Sequence, residues 1–325
     1  MNNHKQLVSV VVPTFNQERF IAETLQSIVN QTYKNLEILV SDDGSTDRTV
    51  EIINTFAQKD SRIKPFFSTK NRGIPYNFNR AFDACAGEFV AFFSGDDLMY
   101  ANKIEQQVHF LNQNSSVDLV MHEVEIFDSQ SGSLISVHKN TPDSKIPDSP
   151  LQWLFPTKWV FNKKYSSILP TSILARSSYY LKARYDERFK YKHELLFHLE
   201  NYLHSPKSKW AVLPEILGKY RQHIDNFTNN KELSKLREEE KFLIHALVLQ
   251  KYPQVSAYSR NFIHFTMFEN LLFYEFQKKN KYYLKQFYLE AGFWKFSYLY
   301  FCRFLKKMNL LFPFFKIFRF LLRIK

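Results

Sequence analysis

Short β-branched and aromatic runs alternate with helical stripes through the first hundred positions. Leu7 to Val12 is an apolar run stopped by Pro13, the pattern of a buried strand. Ile21, Leu25 and Ile28 then recur at helical spacing, and Asn16 stands where an N-cap belongs. Leu36 to Val40 reads as the next strand, followed by the polar loop Ser41 to Asp47 and a helical stripe of Val50, Ile53 and Phe56. Ile63 to Phe67 gives a third strand, Lys70 to Gly73 a turn, and about Tyr76 to Ala84 a third helix. Phe89 to Phe93 is a continuous apolar run ended by Gly95, which predicts a strand buried on both faces. A helix over Ile104 to Leu111 and a strand over Leu119 to Phe127 come next. Gln130 to Pro150 reads as an irregular excursion or lid, and Leu195, Leu196, Phe197 and Leu199 mark a helix within Tyr191 to Leu203. Strands alternating with crossover helices predict an α/β fold with a mostly parallel central sheet flanked by helices.

In such a sheet the chemistry collects where strands empty into loops at their carboxyl ends. That edge gathers Thr14 to Glu18, Asp42 to Asp47, and Ser94 to Asp97. Asp96 and Asp97 repel each other unless a cation neutralises them, and hard oxygen ligands suit Mg²⁺ or Mn²⁺ bridging to substrate phosphates. The alternative is a solvated acidic turn. A carboxylate in the Asp42 to Asp47 loop can accept hydrogen bonds from ribose or base, or simply cap the following helix. Asn71 and Arg72 of the turn, with Asn79 of the helix that follows, could reach a nucleotide; Arg72 could equally be an ordinary exposed arginine.

Composition changes this picture at two points. Only 7 Gly are present, and Gly44, Gly73, Gly87 and Gly95 all fall at turns of the first third. The net charge of +12 belongs to the tail: twelve Lys or Arg against one acid, Glu290, lie from Lys278 onward, leaving about +1 for the rest. That points to a local electrostatic contact by the C-terminus and away from nucleic acid as a partner. Cys85 and Cys302 are far apart with no metal-ligand spacing, and Met1 to Gln6 is polar with no signal-peptide pattern, so a reducing, cytoplasmic setting is expected.

Five segments together resemble family 2 glycosyltransferases of the GT-A fold: Val8 to Asn16, Ser27 to Tyr33, Asp42 to Asp47, Asn71 with Gly73, and Gly87 to Asp97. The resemblance implies a nucleotide-diphosphate sugar donor, with UDP the expected nucleotide, and inverting transfer to a hydroxyl of a glycan or lipid-linked acceptor. It implies that Pro13, Thr14, Phe15, Asn16 and Asp43 hold the nucleoside, with Glu18 on the same rim. Asp96 and Asp97 would hold a divalent cation, Mg²⁺ or Mn²⁺. The family's commonest acidic motif has an acid where Ser94 stands. Ser167 to Ala175, with Thr171, is similar to the family's acceptor-lining segment. Glu194, the second residue of a pair that begins with His193, matches the family's general base; a helix-start acid complementing the dipole is the alternative. Tyr220 to His223 with Asn226 resembles a closing segment in which Arg221 and His223 would bind diphosphate or complete the metal shell.

Residues 1–228 are expected to form the GT-A domain and 229–325 a helical, basic and aromatic region. In its last segment Leu311, Phe314, Phe315, Phe318, Leu321 and Leu322 share one face, while Lys316, Arg319 and Arg323 share another. The run Leu310 to Phe315 contains Pro313 and is far too short to span a bilayer. A basic helix with an aromatic face suits an anionic membrane surface, placing the protein at the inner face of the plasma membrane. Burial of that face in a homo-oligomer is the competing expectation, and a catalytically degenerate scaffold subunit the competing function.

Overall fold

The structure is a computed structural model, describing residues 6–140, 169–190, 193–224 and 226 together with Glu240, Ile244 and Leu247. The chain divides into two compact units, Met1–Ser234 and Lys235–Lys325. The amphipathic tail expected over the last residues lies outside the described ones, as do 141–168.

Within the first unit, strands β1 (Val8–Thr14), β2 (Leu36–Asp42), β3 (Ile63–Phe67) and β4 (Phe89–Phe92) are joined by helices α1 (Ile21–Val29), α2 (Thr49–Lys59) and α3 (Ile74–Phe82). The strands lie parallel in the order β3, β2, β1, β4. Val8, Val10, Val12, Ile38, Val40, Phe89 and Ala91 are buried here, against Ile21, Leu25 and Ile28 of α1. Burial of such side chains is worth about 1.5–3 kcal/mol each, which is what commits this half of the sheet to its register.

The sheet continues beyond β4 in antiparallel and mixed pairings. After α4 (Lys103–Gln113), strand β6 (Val117–Asp128) runs parallel to β9 (Lys209–Gln222) and antiparallel to β8 (Leu174–Arg176) and β7 (Leu134–His138). The two-residue β5 (Leu98–Met99) closes against β9. Helix α5 (His193–His204) buries Leu196, Phe197 and Leu199.

Three expectations are corrected. Strand β1 runs through Pro13 to Thr14, because alternate residues of β1 face β4, and β4 has left the ladder by Pro13; the missing N–H costs no bond there. Asn16 does not cap α1, whose N-cap is Phe20; it adopts a left-handed φ of 50° and turns its side chain to Thr46 instead. The stretch after Gln130 is not irregular throughout, since Leu134–His138 pairs with β6 as strand β7.

Candidate active site

The carboxyl end of β1 is the hub. Thr14 lies beside Asp42 in the β1–β2 register, and on the other side Phe93 N–H donates to Val11 O at 2.9 Å. The loops after β1, β2 and β4 therefore leave the sheet side by side.

The first two loops are sewn together. Asn16 N–H donates to Ser45 Oγ at 2.8 Å, Thr46 N–H to Asn16 Oδ1 at 2.9 Å, and Glu18 N–H to Asp47 Oδ2 at 3.1 Å. Glu18 accepts the Arg48 N–H at 2.9 Å, so this acid is a loop fastener on the rim. Asp42 folds the second loop by accepting the N–H groups of Gly44 and Ser45. Phe15 stays 41% exposed at the mouth, a large ring left facing out beside the buried Thr14.

Asp43 is nearly buried and accepts the N–H groups of Arg72 at 3.0 Å and Gly73 at 2.7 Å. Burial raises its pKa, and those two N–H donors only partly offset the effect. It thus fixes the Lys70 to Gly73 turn against the end of β2. The Arg72 guanidinium stacks 3.5 Å from the centroid of Tyr76 and lies 3.9 Å from Glu187, while Asn71 is exposed beside it. Asn79 Nδ2 donates to Tyr185 O at 2.9 Å and its Oδ1 accepts Tyr185 N–H at 2.8 Å, which pins the segment before α5 to α3.

The acidic loop is held from three directions. Buried Thr24, on the inner face of α1, places its hydroxyl 3.1 Å from Gly95 O and 2.9 Å from Asp97 O. Arg221 donates its main-chain N–H to Asp97 Oδ1 at 2.9 Å and its Nε to Asp96 O at 2.7 Å, and its Nη2 reaches Glu23 at 2.5 Å. Arg221 is only 5% exposed and lies against the rings of Phe20 and Phe127, and its contacts fasten this loop. His223 Nε2 meets Asp96 Oδ2 at 3.2 Å, with its ring 4.5 Å from that of Phe20.

Asp97 is 1% exposed, and burial together with the charge of Asp96 drives its pKa far up. Its Oδ2 is shielded from solvent and meets no donor in good hydrogen-bond geometry, and the neighbouring Thr171 hydroxyl offsets only part of the rise. Among the described residues no group of three His, Cys, Asp or Glu side chains gathers as a metal cage. The donor set does fit Mg²⁺ or Mn²⁺ of the kind that takes one or two protein ligands and completes its shell with phosphate: Asp96 with His223, and the orphaned Asp97 oxygen behind them.

Glu194 sits in the first turn of α5, 41% exposed at its side chain, with Oε1 3.8 Å from His193 Nε2. Its helix packs on Tyr185, whose ring stacks 4.2 Å from Phe197 and meets His193 edge-on at 4.9 Å. The chain of contacts Asp43, Arg72, Glu187 and Asn79, Tyr185 joins this helix to the β2 mouth. Sequence patterns missed Arg80, whose guanidinium donates to Ser41 Oγ, Asp42 O and Phe66 O and so binds α3 to the ends of β2 and β3. They also missed Thr24, although a hydroxyl among Ile21, Leu25 and Ile28 on an apolar helix face is a readable signal.

Residues 9–165 match the family described as Glycosyl transferase family 2. An uncharacterised glycosyltransferase of Rickettsia typhi is 31% identical over 243 residues, 74% of this chain and 71% of the relative. One from Haemophilus influenzae is 37% identical over 111 residues, 34% of this chain but only 44% of that relative's length. Among solved structures, S. aureus TarS 1–349 superposes with a TM-score of 0.61 at 20% identity, covering 88% of this chain and 81% of that one. The Pyrobaculum calidifontis mannosyltransferase PcManGT, solved with GDP-Man and Mn²⁺, gives 0.50 at 15% identity, covering 89% and 74%. The parallel β1 to β4 half, the antiparallel continuation through β8 and β6, and these likenesses together make this chain a member of glycosyl transferase family 2 with the GT-A fold.

Proposed function

We propose that this protein moves a sugar, with inversion, from a nucleotide-diphosphate donor to a hydroxyl of a glycan or lipid-linked acceptor. The observation that carries the reading is the meeting of three polar loops at the end of β1, with Asp43 on one side and Asp96 beside His223 on the other. TarS 1–349 has been solved with UDP-GlcNAc, which supports a nucleotide sugar, with UDP the preferred form.

In this reading Phe15, Asn16 and the Asp43 turn receive the nucleoside and Asp96 and His223 hold the divalent cation. A divalent cation held by these residues would supply charge neutralisation for the leaving diphosphate. Arg221 and Thr24 keep the acidic loop in place, and Glu194 takes the proton of the acceptor hydroxyl while its oxygen attacks the anomeric carbon and the bond to the diphosphate breaks. The exposure of Glu194 is what an acceptor-facing base requires. The basic tail would hold the enzyme at the inner face of the plasma membrane, where surface polysaccharide and lipid-linked glycans are built.

Incubation with Mn²⁺ and a panel of UDP- and GDP-sugars tests the reading. Donor turnover or hydrolysis is expected, and loss of it in Asp96→Asn; a wild type inert to every donor contradicts it. The degenerate scaffold remains the second reading, favoured by Ser94 in the acidic motif and by His193, which is 3% exposed where the family carries an acid. Under it, nucleotide binds but no sugar moves, and Glu194→Gln changes nothing.

A further inference from the structure

Gln17 is clamped at both ends of its peptide. Its N–H donates to Thr49 Oγ1 at 2.8 Å, and its carbonyl accepts the N–H groups of Phe20 at 3.0 Å and Ile21 at 2.9 Å at the start of α1. The side chain is laid across the end of β1 against the acidic loop: a Cβ at Gly95 would stand 2.1 Å from Gln17 Oε1 and 3.1 Å from Thr14 Cβ. Glycine at 95 is what makes room for the carboxamide.

This packing closes polar atoms off without satisfying them. Gln17 Oε1 and Thr14 Oγ1 are shielded from solvent with no hydrogen-bond partner, a cost that buried polar groups rarely carry unless something else uses the site. Among the described residues Gln17 Nε2 has no hydrogen-bond partner, and it is not one of the shielded atoms, so the donor half of the amide is the half left for a ligand.

The order of strands fixes what lies there. Along the rim run the Asp43 turn over β2, then Thr14, Gln17 and Gly95 over β1, then Asp96 and His223 after β4. A nucleoside diphosphate presents base, ribose and diphosphate in the same order. A neutral carboxamide cannot compensate diphosphate charge, but its N–H matches a hydroxyl oxygen. We infer that Gln17, held by Gly95 and flanked by Thr14, donates to a ribose hydroxyl of the donor nucleotide and is the residue that distinguishes ribonucleotide from deoxynucleotide. The inference rests on the donor site described above. A site built to bond a hydroxyl penalises the analogue that lacks it, because its own polar group is then left unpaired.

Calorimetric titration of the full chain in Mn²⁺ with UDP, GDP and their 2′,3′-dideoxy analogues tests it. Wild type is expected to prefer the ribonucleotide by about tenfold or more. Gln17→Leu, which removes the donor, should weaken the ribonucleotide and leave the dideoxy analogue unchanged, so the ratio falls towards one; Gly95→Ala, whose methyl expels the amide, should lower the same ratio whatever it does to the affinity common to both nucleotides. A Gln17→Leu ratio equal to wild type, or a wild-type ratio near one, overturns the inference while leaving the donor site standing. Failure of wild type to bind either ribonucleotide overturns both.

Discussion

The main-chain N–H of Arg221 donates to Asp97 Oδ1 at 2.9 Å, tying the end of strand β9 to an acid 124 residues earlier. With Nε of the same arginine on Asp96 O at 2.7 Å, the acidic loop is fixed before any ligand arrives. Preorganisation of this kind lets a cation site keep its shape at little cost when it fills.

Removing that acceptor should cost more than removing its charge. Asp97→Ala leaves the buried Arg221 N–H unpaired and is expected to lose roughly 1–3 kcal/mol. Asp97→Asn keeps an acceptor and relieves the repulsion from Asp96, so its urea midpoint should equal or exceed wild type. Equal losses in the two variants would show that the clamp is not what Asp97 contributes.

His223 is expected to set cation affinity. The variant His223→Gln keeps a hydrogen-bonding group beside Asp96 but loses the imidazole nitrogen now 3.2 Å away. Half-maximal donor turnover should then need about tenfold or more Mn²⁺. An unchanged Mn²⁺ requirement would leave Asp96 as the sole protein ligand.

Gly44 bears on the stability of the Asp42 to Asp47 loop. Its φ is +79°, and an added Cβ would fall 2.8 Å from Lys70 C and 3.0 Å from Lys70 Cα, both backbone atoms that cannot swing aside. Gly44→Ala combines left-handed strain with overpacking, roughly 2–4 kcal/mol. Thermal melting checks it, and a melt unchanged from wild type would mean the loop shifts freely.

Acid should unfold the protein partly through His198. Burial lowers its pKa to about 4 from 6.5, among Tyr180, Phe197 and Trp210. Below 6.5 the unfolded chain takes up a proton that the folded one refuses until about 4, so the contribution is complete above 6.5 and is lost as pH falls through that window. A shift of this size amounts to about 3 kcal/mol. His122, buried and lowered to about 3, acts in the same direction. Denaturant midpoints measured from pH 7 to 4 should fall less steeply in His198→Phe than in wild type, and parallel curves would contradict this.

The half of the fold that apolar runs specify was open to reading. Phe89 to Phe93 and Leu36 to Val40 are β-favouring runs buried by neighbours on either side, Ile63 to Phe67 forms the edge strand with Ile63 buried, and their order with helices between implies parallel pairing. Strand β9 carries no such signature. Lys209–Gln222 includes Pro214, Glu215 and Gly218, its partner β6 slips register around His122 and Glu123, and its residues alternate between buried and open without a regular period. Its position comes from long-range pairing that no local pattern encodes. The same holds for the polar interior: Lys103 is wholly buried with its ammonium on Gln107, its pKa lowered by burial to about 7, although a helix-start lysine reads as solvent-facing. At the site, the acids were legible as loop residues, but not their division of labour. Whether Asp42 shapes a turn and Asp43 grips another depends on which main-chain N–H groups the fold delivers to each.

The most direct measurement is anomalous difference density from a crystal soaked with Mn²⁺ and a nucleoside diphosphate. One Mn²⁺ peak bridging Asp96 to the diphosphate, with the nucleoside over the Asp43 turn and the Glu194 carboxylate facing the vacant sugar position, is the predicted result. A nucleotide bound elsewhere, or Mn²⁺ with no contact to Asp96, would contradict the account.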